Sequence, residues 1–143
     1  MTMTKSQIKA LISEMKKFRS FLSRKRKYYE TSSIPHITMK YINEVISGVL
    51  IKLENDKIIT VYDLIAIDSI VDSLHELTFI IWYTTRSDEH AQITKKLWKL
   101  RKLTSDMVVQ ALKQEKTIVY RRRIKYDTLK ALKTYLMIVT PSK

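Results

Sequence analysis

The chain contains no cysteine, one glycine (Gly48) and two prolines (Pro35 and Pro141) among its 143 residues. Without cysteine it cannot form disulfides, thiol nucleophiles or cysteine-based zinc sites. A single glycine excludes the phosphate-binding loops that require paired glycines, such as Walker A and G-x-G-x-x-G. The scarcity of glycine and proline also disfavours a turn-rich β-sandwich and favours long helices.

Long apolar runs are missing as well. The longest, Leu77 to Tyr83, is far shorter than the roughly 20 residues that a membrane-spanning helix needs. Residues 1–11 lack the apolar run of a signal peptide. We therefore expect no membrane partner, and a cytoplasmic location, or a virion or nucleoid if the protein packages DNA. The length and the 45% hydrophobic content predict one domain over residues 1–143.

Apolar residues recur at spacings of three and four in four segments, which indicates amphipathic helices. These segments follow Thr4, Thr38, Thr60 and Ser87, whose side chains can cap a helix N-terminus. The Thr60–Asp63 pair has the spacing of a capping box. The sequence thus predicts four helices that begin at these residues.

The C-terminal quarter is less regular. Thr104-Ser105-Asp106 could restart a helix, and another could start at Asp127. Between them, Ile118-Val119-Tyr120 is typical of a strand. The fold prediction is therefore an all-α antiparallel bundle of four to five helices, with a short irregular or β segment near 117–126.

Positive charge dominates the chain and is unevenly distributed. The formal net charge is +13, of which residues 1–30 carry +7, residues 31–90 carry −5 and residues 91–143 carry +11. In an antiparallel bundle the first and last helices can lie side by side, which would merge both basic flanks into one face. Such a face attracts polyanions and points to nucleic acid as the partner.

The basic residues form clusters, and aromatic residues lie beside them. Lys95, Lys99 and Lys102 are spaced to share one face of a helix, and aromatic rings beside cations can stack on unpaired bases. A solvated charged face is the alternative interpretation. The residues predicted to contact nucleic acid are Lys16, Arg24, Lys25, Arg26, Lys27, Tyr28, Lys95, Lys99, Lys102, Tyr120, Arg121, Arg122, Arg123 and Lys125.

The acidic residues and histidines give no catalytic pattern. Asp68, Asp72 and Glu76 are spaced as one acidic stripe, which can pair with a basic helix or a neighbouring subunit. His75-Glu76 begins like H-E-x-x-H, but Phe79 stands where the second histidine would be. We therefore expect no enzymatic activity, no cofactor and no metal site.

Three short segments resemble the small helical subunit of type III-A/D CRISPR interference complexes. They are Ile37-Thr38-Met39-Lys40-Tyr41-Ile42-Asn43-Glu44-Val45, Ser69-Ile70-Val71-Asp72-Ser73-Leu74 and Leu77-Thr78-Phe79-Ile80-Ile81-Trp82-Tyr83. This resemblance implies a non-catalytic helical bundle that stacks as a filament along guide–target RNA in antiviral defence. The composition is also similar to that of small basic helical proteins from viruses of hyperthermophilic archaea, some of which coat DNA.

The functional prediction is a non-catalytic protein that binds the backbone of RNA or DNA within a larger assembly. Its partners are nucleic acid and either other protein subunits or further copies of the chain. One alternative is a DNA-packaging coat or chromatin-like protein of an archaeal virus. A second is a helix-turn-helix regulator built from Ser105–Leu112 and Asp127–Leu136, although the ten residues from Thr117 to Tyr126 make a long turn for that motif.

Overall fold

The computed structural model describes residues 5–56 and 58–119, with side chains up to residue 113. Four helices make up nearly all of this part of the chain: α1 (Lys5–Arg26), α2 (Ile34–Asn55), α3 (Val61–Thr85) and α4 (Asp88–Val119). They form an all-α bundle in which short connections make successive helices antiparallel. The predicted fold class is confirmed.

Helix α2 begins five residues earlier than the sequence predicts. Ser33, not Thr38, is its N-cap: the Ser33 Oγ accepts a hydrogen bond from the His36 amide at 3.3 Å. Pro35 fits in the first turn because that position needs no amide donor. Thr38 instead lies inside the helix, where it is buried and donates to the Ile34 carbonyl at 2.8 Å.

Helix α3 has the predicted start. The Asp63 amide donates to Thr60 Oγ1 at 3.2 Å, and the Thr60 amide donates to Asp63 Oδ2 at 2.9 Å, which completes the capping box. The helix ends at Thr85, and Arg86 follows as its C-cap with a left-handed backbone (φ 55°), while the Arg86 amide still donates to the Trp82 carbonyl. The Arg86 guanidinium lies 5.1 Å from the Trp82 ring centre and 5.0 Å from that of Tyr83.

Helix α4 starts after Ser87, as predicted, and continues without interruption to Val119. The expected restart at Thr104-Ser105-Asp106 was wrong, and residues 105–112 are therefore not a separate helix of a helix-turn-helix motif. Residues 117–119 are helical, not irregular or β, because extending an existing helix by one residue outweighs a local strand preference. Residues 120–126 and the helix expected from Asp127 lie outside the described residues.

The core fills the space between two helical hairpins, α1–α2 and α3–α4. Within the described residues, its largest fully buried apolar side chains are Leu11, Met15, Leu22, Met39, Ile42, Ile46, Leu50, Leu64, Ile67, Ile93 and Leu97. One polar connection crosses this core. His90 of α4 is 1% exposed, with Nε2 3.1 Å from Thr38 Oγ1 and Nδ1 3.0 Å from Ser87 Oγ. It fastens the start of α4 to the start of α2.

Candidate nucleic-acid interface

The first and fourth helices lie side by side and antiparallel, an arrangement that an antiparallel bundle allows. Near one end of the pair, Gln7 Nε2 donates to Gln110 Oε1 at 3.5 Å. Near the other end, the Lys96 ammonium lies 4.5 Å from the centre of the Phe21 ring. The two most basic helices of the described bundle therefore share one side of it.

An open cleft of about 920 Å³ runs between these two helices. Phe18, Phe21 and Leu100 are buried beneath it and make its floor apolar. Exposed charged side chains from both helices line it above that floor. The charged residues of this α1–α4 cleft are Glu14, Lys17, Arg24, Lys96 and Lys99.

The electrostatics of the α1–α4 cleft favour an anion. Four cations and one carboxylate give the lining a formal charge of +3. Glu14 pairs with Lys17 at 3.4 Å, but both side chains are more than half exposed, so this pair contributes little energy. Arg24, Lys96 and Lys99 make no ion pair that holds them to a carboxylate among the described residues.

The basic surface continues along α1 beside the cleft. A shallower depression is lined by Lys9 and Lys16, and it shares Lys17 and Arg24 with the cleft. The Lys16 ammonium lies 3.4 Å from Glu54 Oε1 of α2, with both side chains about half exposed. Water screens such a pair, so a phosphate can compete with Glu54 for Lys16.

The structure places two of the predicted contact residues, Arg24 and Lys99, in the cleft and Lys16 beside it. Lys95 and Lys102 are exposed on α4 outside the cleft lining. Lys25 and Arg26 are partly buried in the last turn of α1, whereas Lys27 and the 82% exposed Tyr28 follow it. The remaining predicted residues, Tyr120, Arg121, Arg122, Arg123 and Lys125, lie outside the described part of the chain.

Two cleft residues were missed by the sequence prediction: Lys17 and Lys96. Spacing could have found both. Lys17 precedes Arg24 by seven residues and Lys96 precedes Lys99 by three, so each pair lies on one face of its helix. What the spacing could not reveal is that these two faces meet.

Trp98 lies outside the cleft, 50% exposed, with the Lys102 ammonium 5.6 Å from the centre of its ring. This exposure rules out a core position for Trp98. An exposed indole beside an ammonium can stack on a base while the cation contacts a phosphate.

The acidic residues of α3 hold the α3–α4 hairpin together. Asp72 Oδ1 lies 2.8 Å from Arg101 Nε, and Asp68 Oδ1 accepts hydrogen bonds from Thr104 at 2.6 Å and Ser105 at 3.0 Å. Burial raises the pKa of Asp68, and these two hydroxyl donors oppose that rise. Pairing of this acidic stripe with a basic helix was one of its expected roles, and for Asp72 it is confirmed.

Residues that could hold a metal ion do not converge in the part of the chain that the structure describes: no group of three or more histidine or carboxylate side chains comes together there. Nor is any helix in that part long and apolar enough to cross a membrane. Comparison with protein-family models, with curated proteins and with solved structures finds no match.

Proposed function

We propose that this protein is a non-catalytic nucleic-acid-binding subunit of a larger assembly, and that it contacts the phosphate backbone through the α1–α4 cleft. The observation that carries the proposal is the convergence of Lys17 and Arg24 of α1 with Lys96 and Lys99 of α4 around one cleft. Four exposed cations in one depression suit a polyanion that passes between two helices.

The placement of charge supports this proposal beyond the +13 total. Helix α1 carries eight basic residues and one acidic residue, whereas α2 and α3 together carry two basic and six acidic residues. Basic residues that served only solubility would be expected over the whole surface. Here they are concentrated on the side of the bundle that includes α1. Lysine and arginine contacts to phosphates give affinity with little dependence on base sequence.

The test compares two double variants that remove the same charge from different places. Lys17→Gln with Lys99→Gln neutralises both walls of the cleft, and Lys5→Gln with Lys40→Gln neutralises two exposed lysines outside it. Binding to an RNA and a DNA oligonucleotide is titrated at about 50 mM and about 200 mM salt. The cleft variant should bind more weakly and flatten the plot of log K against log[salt] by about one to two units, since each lost phosphate contact removes about 0.7 to 0.9.

The control variant should retain most of the wild-type affinity and slope. Equal losses in both variants would mean that the charge acts as a diffuse field, and the cleft would then not be the contact site. Absence of binding by the wild-type protein at low salt would refute the nucleic-acid function itself. Nucleic acid that is cleaved during the titration, with or without added Mg²⁺, would contradict the non-catalytic role.

A further inference from the structure

Trp98 lies beside the α1–α4 cleft and is the more exposed of the two tryptophans. It is 50% exposed, whereas Trp82 is partly buried. Trp98 directly precedes Lys99, which lines the cleft. In this part of α4 the bundle packs through Leu97 and Leu100, so the core does not require an aromatic ring at position 98. A large, rigid and half-exposed ring is well suited to contact a planar ligand.

The surface of α4 around Trp98 is strongly basic. Residues 91–104 contain five basic residues and no acidic one. Lys95 and Lys102 are exposed about one turn before and one turn after Trp98, and neither makes an ion pair within the described residues. The exposed ridge of α4 therefore joins the positive cleft to the aromatic ring without an intervening negative charge of its own.

The interior of the α1–α4 cleft suits a base as well as a phosphate. Its buried floor is apolar and includes Phe18 and Phe21, while exposed cations line it above. Its volume of about 920 Å³ is in the range of pockets that enclose small organic ligands, roughly 300–1,000 Å³. A duplex keeps its bases stacked inside the helix and would present mainly sugars and phosphates to this floor. An unpaired strand presents both apolar base faces and phosphates.

We propose that the nucleic acid bound by this protein is single-stranded. The strand lies in the cleft, leaves it over Lys99 and stacks one unpaired base on Trp98. Lys95 and Lys102 contact the phosphates beside that base, and Lys102 is exposed, so its ammonium can move from the indole ring to a phosphate without disturbing the bundle. This inference rests on the proposed function and adds the class of strand that the cleft accepts.

An anionic membrane is the other polyanionic surface that tryptophan and lysine side chains commonly contact. The structure favours a strand, because Lys17 and Lys99 line a concave cleft that a chain can enter and a flat surface cannot. A helix that lies on a membrane also buries several apolar side chains in lipid. The nearest exposed neighbours of Trp98 on its ridge are instead lysines.

The first test titrates single-stranded and duplex oligonucleotides of about 16 nucleotides against the wild-type protein, Trp98→Ala and Trp98→Phe. Trp98→Ala should weaken binding of the single strand about 5- to 100-fold, since it removes the stacking surface for one base. Trp98→Phe should retain most of the affinity because it keeps a ring. The salt dependence should not change in either variant, since no phosphate contact is lost. That distinguishes Trp98 from the lysines of the cleft.

Tyr83→Ala is the matched control. Tyr83 is 62% exposed and has the Arg86 guanidinium 5.0 Å from its ring centre, so it offers the same chemistry at the end of α3, outside the cleft lining. This variant should bind the single strand as the wild type does. Equal losses in Tyr83→Ala and Trp98→Ala would mean that the position beside the cleft is irrelevant, which would contradict the proposed path of the strand.

The duplex provides an internal comparison. It has the higher density of phosphates, so contacts to the backbone alone would favour it over the single strand. We expect the wild-type protein to bind the single strand more tightly at the same salt concentration. Trp98→Ala should lose affinity for the single strand but little for the duplex.

The second test follows the fluorescence of Trp98 in the variant Trp82→Phe, which leaves Trp98 as the only tryptophan. Stacking on a base should quench its emission. A strand of equal length in which abasic sites replace the nucleotides keeps the phosphates and removes the bases. It should bind through the lysines, more weakly than the intact strand, and leave the emission of Trp98 nearly unchanged.

Equal or tighter binding of the duplex would overturn the proposal, as would a loss in Trp98→Ala that is the same for the intact and the abasic strand. So would phosphatidylserine vesicles that bind the wild type but not Trp98→Ala, if the single strand leaves the emission of Trp98 unchanged. If the duplex binds more tightly and Lys17→Gln with Lys99→Gln weakens it, the proposed function stands without this inference. If neither nucleic acid binds at low salt, the proposed function itself fails.

Discussion

At the scale of single residues, His90 shows how burial determines a protonation state. Thr38 Oγ1 donates to the Ile34 carbonyl, so it accepts from His90 Nε2–H, and His90 Nδ1 is left to accept from the Ser87 hydroxyl. Both contacts are satisfied by the neutral ring. Burial lowers the pKa of His90 below its ordinary value of 6.5. The folded protein therefore binds fewer protons here than the unfolded chain does.

This difference predicts that acid destabilises the fold through His90. The stabilising contribution is fully present above pH 6.5 and is lost as the pH falls below it, toward the lowered pKa of the folded state. His90→Gln should lower the free energy of unfolding at about pH 7.5 by about 1–2 kcal/mol, but it should lose less stability between about pH 7.5 and pH 5 than the wild type. Chemical denaturation at both pH values measures this.

His75→Gln is the comparison for that experiment. Burial and the nearby Arg101 also lower the pKa of His75, which is only partly buried on α3. His75→Gln should still lose the stability that depends on His90 when the pH falls, because its His90 is unchanged. If wild type and His90→Gln lose equal stability on acidification, the buried imidazole is not the group responsible.

At the scale of elements, local capping determines where α3 begins. The reciprocal bonds between Thr60 and Asp63 satisfy two donors of the first turn. The same bonds, led by that from the Thr60 backbone, lower the pKa of Asp63, and Lys52 of α2 adds to the effect. Asp63 thus completes the capping box of α3 and also contacts Lys52 of α2.

Thr60→Ala should lower the free energy of unfolding by about 1 kcal/mol, since it removes the side-chain acceptor of the capping box. Thr84→Ala is the matched control, because Thr84 is exposed near the other end of α3 and only donates to the carbonyl of Ile80. We expect its effect to be within about 0.5 kcal/mol. Thermal or urea denaturation followed by circular dichroism distinguishes the two, and equal losses would contradict a specific role of the cap.

At the scale of the whole molecule, charge segregation opposes folding on one side of the bundle. The two most basic helices are neighbours, and the cleft between them gathers four cations. Like charges around one cleft repel each other. Salt weakens this repulsion, since the Debye length is only about 10 Å at 0.1 M. The basic α1–α4 cleft is thus maintained at some cost in stability.

We therefore predict that the fold gains on the order of 1 kcal/mol between about 20 mM and about 500 mM NaCl, with nucleic acid absent. The variant with Lys17→Gln and Lys99→Gln should gain less, because two of the repelling charges are gone. Urea denaturation at both salt concentrations measures the difference. A stability that falls with salt would mean that attractive pairs such as Arg101–Asp72 outweigh the repulsion.

The sequence by itself determined the helical class, the capping box at Thr60, the start of α4 and the separation of charge along the chain, because each depends on residues that are neighbours in sequence. Only the tertiary structure decided which cations converge. Periodicity assigns Lys17 with Arg24 and Lys96 with Lys99 to one face of their own helix, but packing of the buried residues sets how those faces meet. For the same reason Thr38, which has the chemistry of a cap, became the buried partner of His90: its role depends on a residue 52 positions away.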